Sequence, residues 1–168
     1  VKQYRPSVKS LSSGQVLSYA YDFTKARVVV REMADALSLD LVSKHLVCDQ
    51  IVLTVGYDVE NLTDPVRKAR YHGPVDTDRY GRQIPKSAHG SINLSKQTSS
   101  GAAISKATAT LFDRIVDKDL LVRRMYVVAN NTVDESKVEA VQLDLFEDGM
   151  AETNGKERRR QEAILAIK

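Results

Sequence analysis

The chain has 168 residues, 42% of them hydrophobic, and a formal net charge of +3, which suits one ordinary domain of ~100–150 residues and a tail. It has no run of 18 apolar residues to cross a membrane, no signal peptide, and only one cysteine, Cys48, which excludes an internal disulfide and a multi-cysteine zinc site. We therefore expect a soluble, cytoplasmic protein with no membrane partner, and the mild positive charge alone identifies no nucleic-acid partner.

The first half of the chain predicts a strand, a helix and a second strand. Residues 12–21 follow a turn signal and mix polar and apolar positions, which predicts a strand. Residues 22–46 predict a helix with Asp22 or Thr24 as its N-cap. Residues 48–58 are rich in β-branched side chains and predict the second strand. The apolar stripe of the helix is Ala26, Val30, Met33, Leu37 and Leu41. One face of the second strand carries Ile51, Leu53, Val55 and Tyr57.

The second half predicts a loop, a strand, a helix and a last strand. Proline and glycine interrupt residues 59–87, which predicts an extended loop or a protruding hairpin with a tight turn at "DRYGRQ". Residues 89–98 alternate as a strand, with Ile92 and Leu94 on one face. Ser99 or Ser100 then caps a helix whose apolar stripe is Ile104, Ala107, Leu111 and Ile115. Residues 120–130 predict the last strand, in which Met125, Val127 and Ala129 share one face.

This β-α-β-β-α-β order predicts an α+β fold: a four-stranded sheet with two helices on one face, followed by a C-terminal tail and a short helix. The helices share a face because both crossovers between parallel neighbours are right-handed. The other sheet face is then bare, and a face of hydroxyls, amides and arginine can meet phosphates and sugars. The alternative is the solvated polar side of any half-buried sheet. The residues expected on this face are Ser91, Asn93, Ser95, Arg124 and Tyr126, with Lys86 and Lys96 at its edge.

The sequence offers no catalytic or metal site. It contains neither the G-x-x-x-x-G-K-[ST] nor the G-x-G-x-x-G phosphate loop. His45, His72 and His89 lack metal-ligand spacing and are expected in loops or at the surface. Asp76 and Asp78 lie in a turn-rich loop, where paired acids usually cap turns. We therefore expect no catalysis, no metal and no cofactor in this chain.

Four stretches together resemble one family. They are "YRP" at 4–6, "SLSSGQVL" at 10–17, "HGSINLSKQTSS" at 89–100 with the helix after it, and "LLVRRMYV" at 120–127. In this order they resemble the C-terminal little-finger domain of bacterial Y-family translesion DNA polymerases, the UmuC-like and DinB-like enzymes. The resemblance implies a thumb linker at 1–10, a little-finger domain at 11–132 that includes the long loop 59–87, and a tail at 133–168.

The family's little finger lies in the DNA major groove and contacts backbone phosphates without reading bases. The resemblance implies that Ser12, Ser13 and Gly14 offer hydroxyl and N–H groups at a tight turn, and that Arg123 and Arg124 contact template phosphates. The full set expected to contact DNA is Ser12, Ser13, Gly14, Lys86, Ser91, Asn93, Ser95, Lys96, Arg123, Arg124 and Tyr126. It also implies a role in DNA repair, translesion synthesis and the SOS response to DNA damage.

Nucleotidyl transfer belongs, in this family, to a palm domain whose carboxylates hold Mg²⁺. The chain begins without Met and ends within a helical pattern, so we expect a fragment of a DNA-directed DNA polymerase. The fragment itself is expected to have no transferase activity. Its loop at 59–87 is longer than in compact little fingers, and we assign it no role. Its basic residues, which would suit a further DNA or protein contact, are Arg67, Lys68, Arg70, Arg79 and Arg82.

The tail contains "QLDLF" in a segment, residues 141–154, with four acidic and no basic residues. Read alone, it predicts an apolar strand that folds back onto the domain. Beside the polymerase resemblance, it is similar to the motif with which bacterial polymerases bind the sliding clamp. The residues that would bind the clamp are Gln142, Leu143, Leu145 and Phe146, and residues 155–168 predict a partial helix of unassigned role.

Two other function classes remain open. The same fold serves as a protein-interaction module in which the bare face binds a partner chain. A small ferredoxin-like enzyme with the long loop as a lid would require a convergent catalytic set, which the sequence does not offer. The oligomeric state is likewise open.

Overall fold

A computed structural model describes residues 10–138. Within these residues, 10–133 belong to one compact unit, and a second unit begins at Asp134. Among the described residues, no helix is long and apolar enough to cross a membrane. The elements are β1 (Ser10–Tyr21), α1 (Phe23–Ser43), β2 (Leu46–Tyr57), α2 (Glu60–Thr63), α3 (Pro65–Arg70), β3 (Val75–Thr77), β4 (Gln83–Pro85), β5 (Ala88–Thr98), α4 (Gly101–Ile115), β6 (Val122–Asn130) and β7 (Val133–Asp134).

The four long strands form one sheet in the order β1-β6-β2-β5, and each neighbouring pair is antiparallel. The predicted α+β class and element order are confirmed. The predicted parallel neighbours are wrong, because β6 lies between β1 and β2, and β2 lies between β5 and β6. A helix about 10 Å across covers about two strand spacings of ~4.8 Å, so a crossover that skips one strand packs without a gap.

Helix α1 begins where the sequence predicts and ends earlier. The Asp22 side chain accepts a hydrogen bond of 2.8 Å from the Lys25 N–H and caps the helix. The helix ends at Ser43, and not at Leu46, because His45 adopts a left-handed conformation with φ of 57°. That turn reverses the chain into β2. His45 is exposed there, as predicted for a loop histidine.

Both long helices pack on the same sheet face and bury the predicted apolar stripes, except that Ile115 at the end of α4 is only partly buried. Helix α4 is capped by Ser100, whose Oγ accepts from the Ala103 N–H at 3.3 Å. The two helices are joined by the Phe112 ring, whose centroid lies 4.9 Å from that of Phe23. The predicted inward strand residues, Ile51, Leu53, Val55, Met125, Val127 and Ala129, are all at most 1% exposed. The core therefore occupies one side of the sheet, and no helix of residues 10–138 covers the other side.

Residues 59–87 are more ordered than a loop. They form the short helices α2 and α3 and the hairpin of β3 with β4. The predicted hairpin is confirmed, and its turn includes Gly81 with φ of 78°. The helices were not predicted because they contain four and six residues, which is too short for a helical period to emerge from the sequence.

Two leucines on α1 provide a test of the packing. Leu37 is 2% exposed and Leu39 is 71% exposed. We expect Leu37→Ala to lower the free energy of unfolding by about 2–5 kcal/mol, because it leaves a cavity in the core. Leu39→Ala, the matched control, should change it by less than about 0.5 kcal/mol. Urea unfolding measures both, and equal losses would contradict the described orientation of α1.

Candidate functional site

The sheet face opposite the helices carries four rows of residues in register across the strands. Because paired residues share a face, the outward members of each row follow from the pairing. From one end of the sheet to the other, the rows are Ser10, Asn130, Gln50 and Asn93; Ser12, Val128, Val52 and Ser91; Gly14, Tyr126, Thr54 and His89; and Val16, Arg124 and Gly56. We call this surface the bare face.

Hydrogen bonds between side chains order the bare face. At one end, Asn130 Nδ2 donates to Gln50 Oε1 at 2.8 Å, and Gln50 Nε2 donates to Asn93 Oδ1 at 3.0 Å. In the third row, Thr54 Oγ1 and His89 Nδ1 lie 2.8 Å apart. The face is therefore a fixed array of hydroxyl, amide and imidazole groups. Of these five residues, only Asn93 was predicted from the sequence to lie on this face, although Gln50 and Thr54 alternate with buried residues of β2.

Tyr126 lies flat across the centre of the face. Its hydroxyl donates to Ser12 Oγ at 3.0 Å, and a Cβ at residue 14 would lie only 2.8 Å from the Tyr126 Cδ2 atom. Gly14 therefore provides the space that the ring occupies. The predicted tight turn at Ser12, Ser13 and Gly14 is wrong, because all three lie within β1 and pair with β6.

The structure places the other predicted residues in three locations. Ser13 lies on the helix-bearing face, because it is in register with the buried Val127. Ser95 and Lys96 are exposed but lie beyond a register break in β5, at the end remote from Arg124. Lys86 is exposed just before β5, at the other end. The predicted residues that share the bare face are Ser12, Gly14, Ser91, Asn93, Arg124 and Tyr126.

Arg123 and Arg124 line the same cleft although they are adjacent in a strand. Arg124 lies over Gly56, where a Cβ would be 2.4 Å from the Arg124 Cγ. The register between β2 and β6 shifts after the pair of Gly56 with Arg124, because the next pair is Tyr57 with Val122. Arg123 is therefore an extra residue of β6 without a partner in β2. Such a bulge redirects a side chain, and Arg123 Nη1 lies 3.8 Å from Asp58 Oδ1.

This cleft, about 460 Å³ in volume, also receives side chains from the β3–β4 hairpin. The hairpin contributes Arg79, Tyr80 and Arg82, which line the cleft together with Arg123 and Arg124. The sequence identified the hairpin arginines as basic residues without a role. Nothing in the sequence indicated that they would meet the Arg pair, since their positions are separated by about 40 residues.

Next to this cleft, the buried side-chain amide of Asn61 links residues 59–87, which we call the insertion, to the residues before β6. Asn61 is fully buried, and its Nδ2 donates to the carbonyls of Asp58 and Leu121, each at 2.9 Å. The Leu121 N–H donates back to Asn61 Oδ1 at 2.8 Å. Asp58 Oδ2 also accepts from the Glu60 N–H at 2.9 Å. The residues preceding β6 are thereby fixed to the start of the insertion.

Neither a metal site nor an activated nucleophile is found in the described part of the chain. Within residues 10–138, no three or more His, Cys, Asp or Glu side chains are grouped to hold a metal ion. Burial raises the pKa of the Cys48 thiol to about 11, so its thiolate is scarce at neutral pH. Asp78 caps the hairpin turn as predicted, accepting from the N–H groups of Tyr80 and Arg82 at 2.9 and 2.8 Å.

Solved structures similar to this chain are those of Y-family DNA polymerases. "Y-family DNA polymerase chimera Dbh-Dpo4(243-245)-Dbh" is 13% identical with a TM-score of 0.50, over 76% of this chain and 29% of that one. "Insertion ternary complex of Dbh DNA polymerase" is 11% identical with a TM-score of 0.49, over 74% and 28%. This chain therefore spans under a third of either polymerase, and likeness at such identity concerns the fold. The fold is that of the Y-family little-finger domain. A comparison with curated proteins finds no match.

The family follows from the sequence match. Residues 8–145 match the impB/mucB/samB family C-terminal domain. Because this match covers most of the 168 residues, the chain belongs to that family. The resemblance stated from the sequence is thus confirmed, and the bare face and the arginine cleft are features of a member of this family.

Two asparagines test the attachment of the insertion. Asn61→Ala removes three hydrogen bonds and takes away the acceptor of the part-buried Leu121 N–H, so we expect it to lower the free energy of unfolding by about 2–4 kcal/mol. Asn93→Ala, the control, removes one exposed hydrogen bond and should cost under about 1 kcal/mol. Thermal unfolding compares them, and a loss at residue 61 no larger than at residue 93 would refute this attachment.

Proposed function

We propose that this domain binds template-primer DNA on its bare face, independently of sequence, as part of a Y-family polymerase in translesion synthesis and DNA repair. The observation that carries the proposal is the ordered polar face with Arg124 at one end, left uncovered because both long helices pack on the opposite side. Family membership supports the polymerase context.

The dimensions and chemistry of the bare face suit a duplex groove. Four strands with spacings of ~4.8 Å measure about 15 Å across, which is comparable with the ~12 Å width of the major groove. Hydroxyl and amide groups donate to phosphate and sugar oxygens, and these contacts carry no base information. Arg124 adds the charge, because its guanidinium forms paired hydrogen bonds with a phosphate. Such a surface suits a polymerase that moves along damaged templates.

Binding of this kind is driven by the release of counterions from the DNA. Each phosphate that a basic side chain neutralises contributes about 0.9 to the slope of log K against log salt concentration. We therefore expect the 168-residue chain to bind duplex DNA of any sequence with a Kd of roughly micromolar order at low salt, weakening steeply as salt rises.

Substitution of Arg124 tests directly whether DNA binds to the bare face. We expect Arg124→Gln to lower the salt slope by about 1 and to weaken binding equally for unrelated duplexes, because one phosphate contact is lost. Arg31→Gln is the control, since Arg31 is an exposed residue of α1 on the helix-bearing side. Fluorescence anisotropy over a salt series measures both slopes.

The contrary outcomes separate the open alternatives. An unchanged slope for Arg124→Gln, or an equal change for Arg31→Gln, would contradict binding through the bare face. No salt-dependent DNA binding by the unaltered chain would favour the protein-interaction module, in which the same face binds a partner chain.

We also propose that the tail tethers the polymerase to a bacterial sliding clamp. Gln142, Leu143, Leu145 and Phe146 lie outside the described residues, so this proposal rests on the "QLDLF" motif. Two large apolar anchors can carry most of the energy of a peptide interaction.

A pair of variants tests the tether. Leu145→Ala/Phe146→Ala should reduce clamp affinity at least about 30-fold, since loss of anchor residues typically costs about 2 kcal/mol or more. Met150→Ala, a control outside the pentapeptide, should leave the affinity unchanged. Surface plasmon resonance on immobilised clamp compares the three chains, and equal binding by the double variant would reject the tether.

We do not assign nucleotidyl transfer to this domain. Among residues 10–138 no acidic cluster fits a Mg²⁺ ion, so we propose that nucleotidyl transfer and Mg²⁺ binding belong to palm carboxylates of the parent polymerase. We propose a cytoplasmic location and an SOS role on the same family grounds.

A further inference from the structure

The β3–β4 hairpin is rigid and ends in basic side chains. Its strands pair from Val75 with Pro85 to Thr77 with Gln83. In the turn, Asp78 accepts three hydrogen bonds of 2.8–2.9 Å, one from the Tyr80 N–H and two from Arg82, through its N–H and its Nε. Burial alone would raise the pKa of Asp78, but these hydrogen bonds lower it, so the carboxylate stays ionised. These bonds therefore fix the backbone of the turn that carries Arg79.

The charges lining the cleft are only partly compensated. Arg82 pairs with Asp78 at 2.8 Å, and Arg123 lies 3.8 Å from Asp58. Neither Arg79 nor Arg124 has a carboxylate within salt-bridge distance in the part of the chain that the structure describes. Two arginines without a carboxylate partner, one from the hairpin and one from the sheet, therefore line one cleft, which favours an anion that accepts hydrogen bonds from both.

The cleft continues the bare face. Val16 and Arg124 line the cleft, and they also line an adjoining groove that passes Gly14, Thr54 and Gly56. A strand of DNA on the bare face thus has a direct path into the cleft. The exposed Tyr80, 72% accessible and stacked 5.2 Å from the Arg82 guanidinium, adds an aromatic surface of the kind that contacts sugars and bases beside a phosphate track.

We propose that the hairpin is a second DNA-contacting arm, in which Arg79 and Arg124 hold one backbone phosphate between the hairpin and the sheet. The inference rests on the proposed binding of DNA to the bare face. The proposal gives the insertion at residues 59–87 a role. At the Arg124 end of the bare face, the insertion would contact the DNA strand where that strand leaves the face.

A double-mutant cycle tests whether the two arginines share a phosphate. Arg79→Gln should lower the salt slope by about 1 and weaken duplex binding roughly eightfold at 0.1 M salt, because about 0.9 counterion is no longer released. Arg70→Gln is the matched control: Arg70 is exposed in the same insertion but lines a different pocket, beside Asp117 and Asp119. Arg79→Gln/Arg124→Gln should also lower the slope by about 1 and not 2, because the shared phosphate is held only when both guanidinium groups contact it, so that either single substitution already releases it.

Crosslinking provides a measurement that does not depend on affinity. Cys48 is the only cysteine of the chain and is fully buried, so Arg79→Cys introduces a single accessible thiol. A duplex that carries a disulfide-activated tether on a backbone phosphate should crosslink to Arg79→Cys at least tenfold faster than to Arg70→Cys. Equal rates would overturn the inference.

The outcomes distinguish the hairpin from the bare face. If Arg124→Gln lowers the slope and Arg79→Gln does not, the hairpin is not a DNA arm and the proposed function stands. If the double variant lowers the slope by about 2, the two arginines hold separate phosphates, and the shared site is rejected. If the unaltered chain binds no duplex, the proposed function itself fails. Equal melting temperatures of Arg79→Gln and the unaltered chain verify that the comparison concerns binding.

Discussion

The packing of both long helices on one side of the sheet determines which residues are available for binding. In β2 and β6, alternate side chains meet α1 and α4, and these are the buried positions such as Leu53 and Val127. The intervening positions have no covering layer among the described elements, and apart from Val52, Gly56 and Val128 they are polar, with hydrogen bonds that link several of them across the strands. One asymmetry of packing therefore produces both the core and the face that we assign to DNA.

Two glycines and one bulge then give that face its shape. Gly14 and Gly56 allow Tyr126 and Arg124 to lie close to the backbone of the neighbouring strands. The irregularity after Gly56 directs Arg123 towards the insertion. Substitution of either glycine would displace a long side chain, even though neither glycine has a side chain of its own. The backbone at these positions therefore determines where the Tyr126 and Arg124 side chains lie. The insertion, which is attached through Asn61, adds its own basic side chains at the Arg124 end of the face.

The sequence predicted the long elements because their periods are strong. The α1 stripe from Ala26 to Leu41 and the alternation from Ile51 to Tyr57 lie where expected, and the fold class followed from the element order. The order of the strands in the sheet could not be predicted from the order of elements in the sequence, because strand pairing depends on how the helices pack on the sheet. The turn assigned to Ser12, Ser13 and Gly14 failed for a related reason: a serine-glycine pattern does not reveal that an aromatic ring from β6 requires the space. The meeting of Arg79 with Arg124 depends on tertiary contacts that no local pattern contains.

The central claim is that the uncovered sheet face and the hairpin, and not the helices, meet DNA. Amide chemical-shift mapping of the labelled chain during titration with duplex DNA tests it most directly. The account predicts that the largest shifts occur in β1, β2, β6 and the 78–82 turn, and that the exposed side of α1 is unaffected. Shifts concentrated in α1 and α4, with the bare face unchanged, would contradict it.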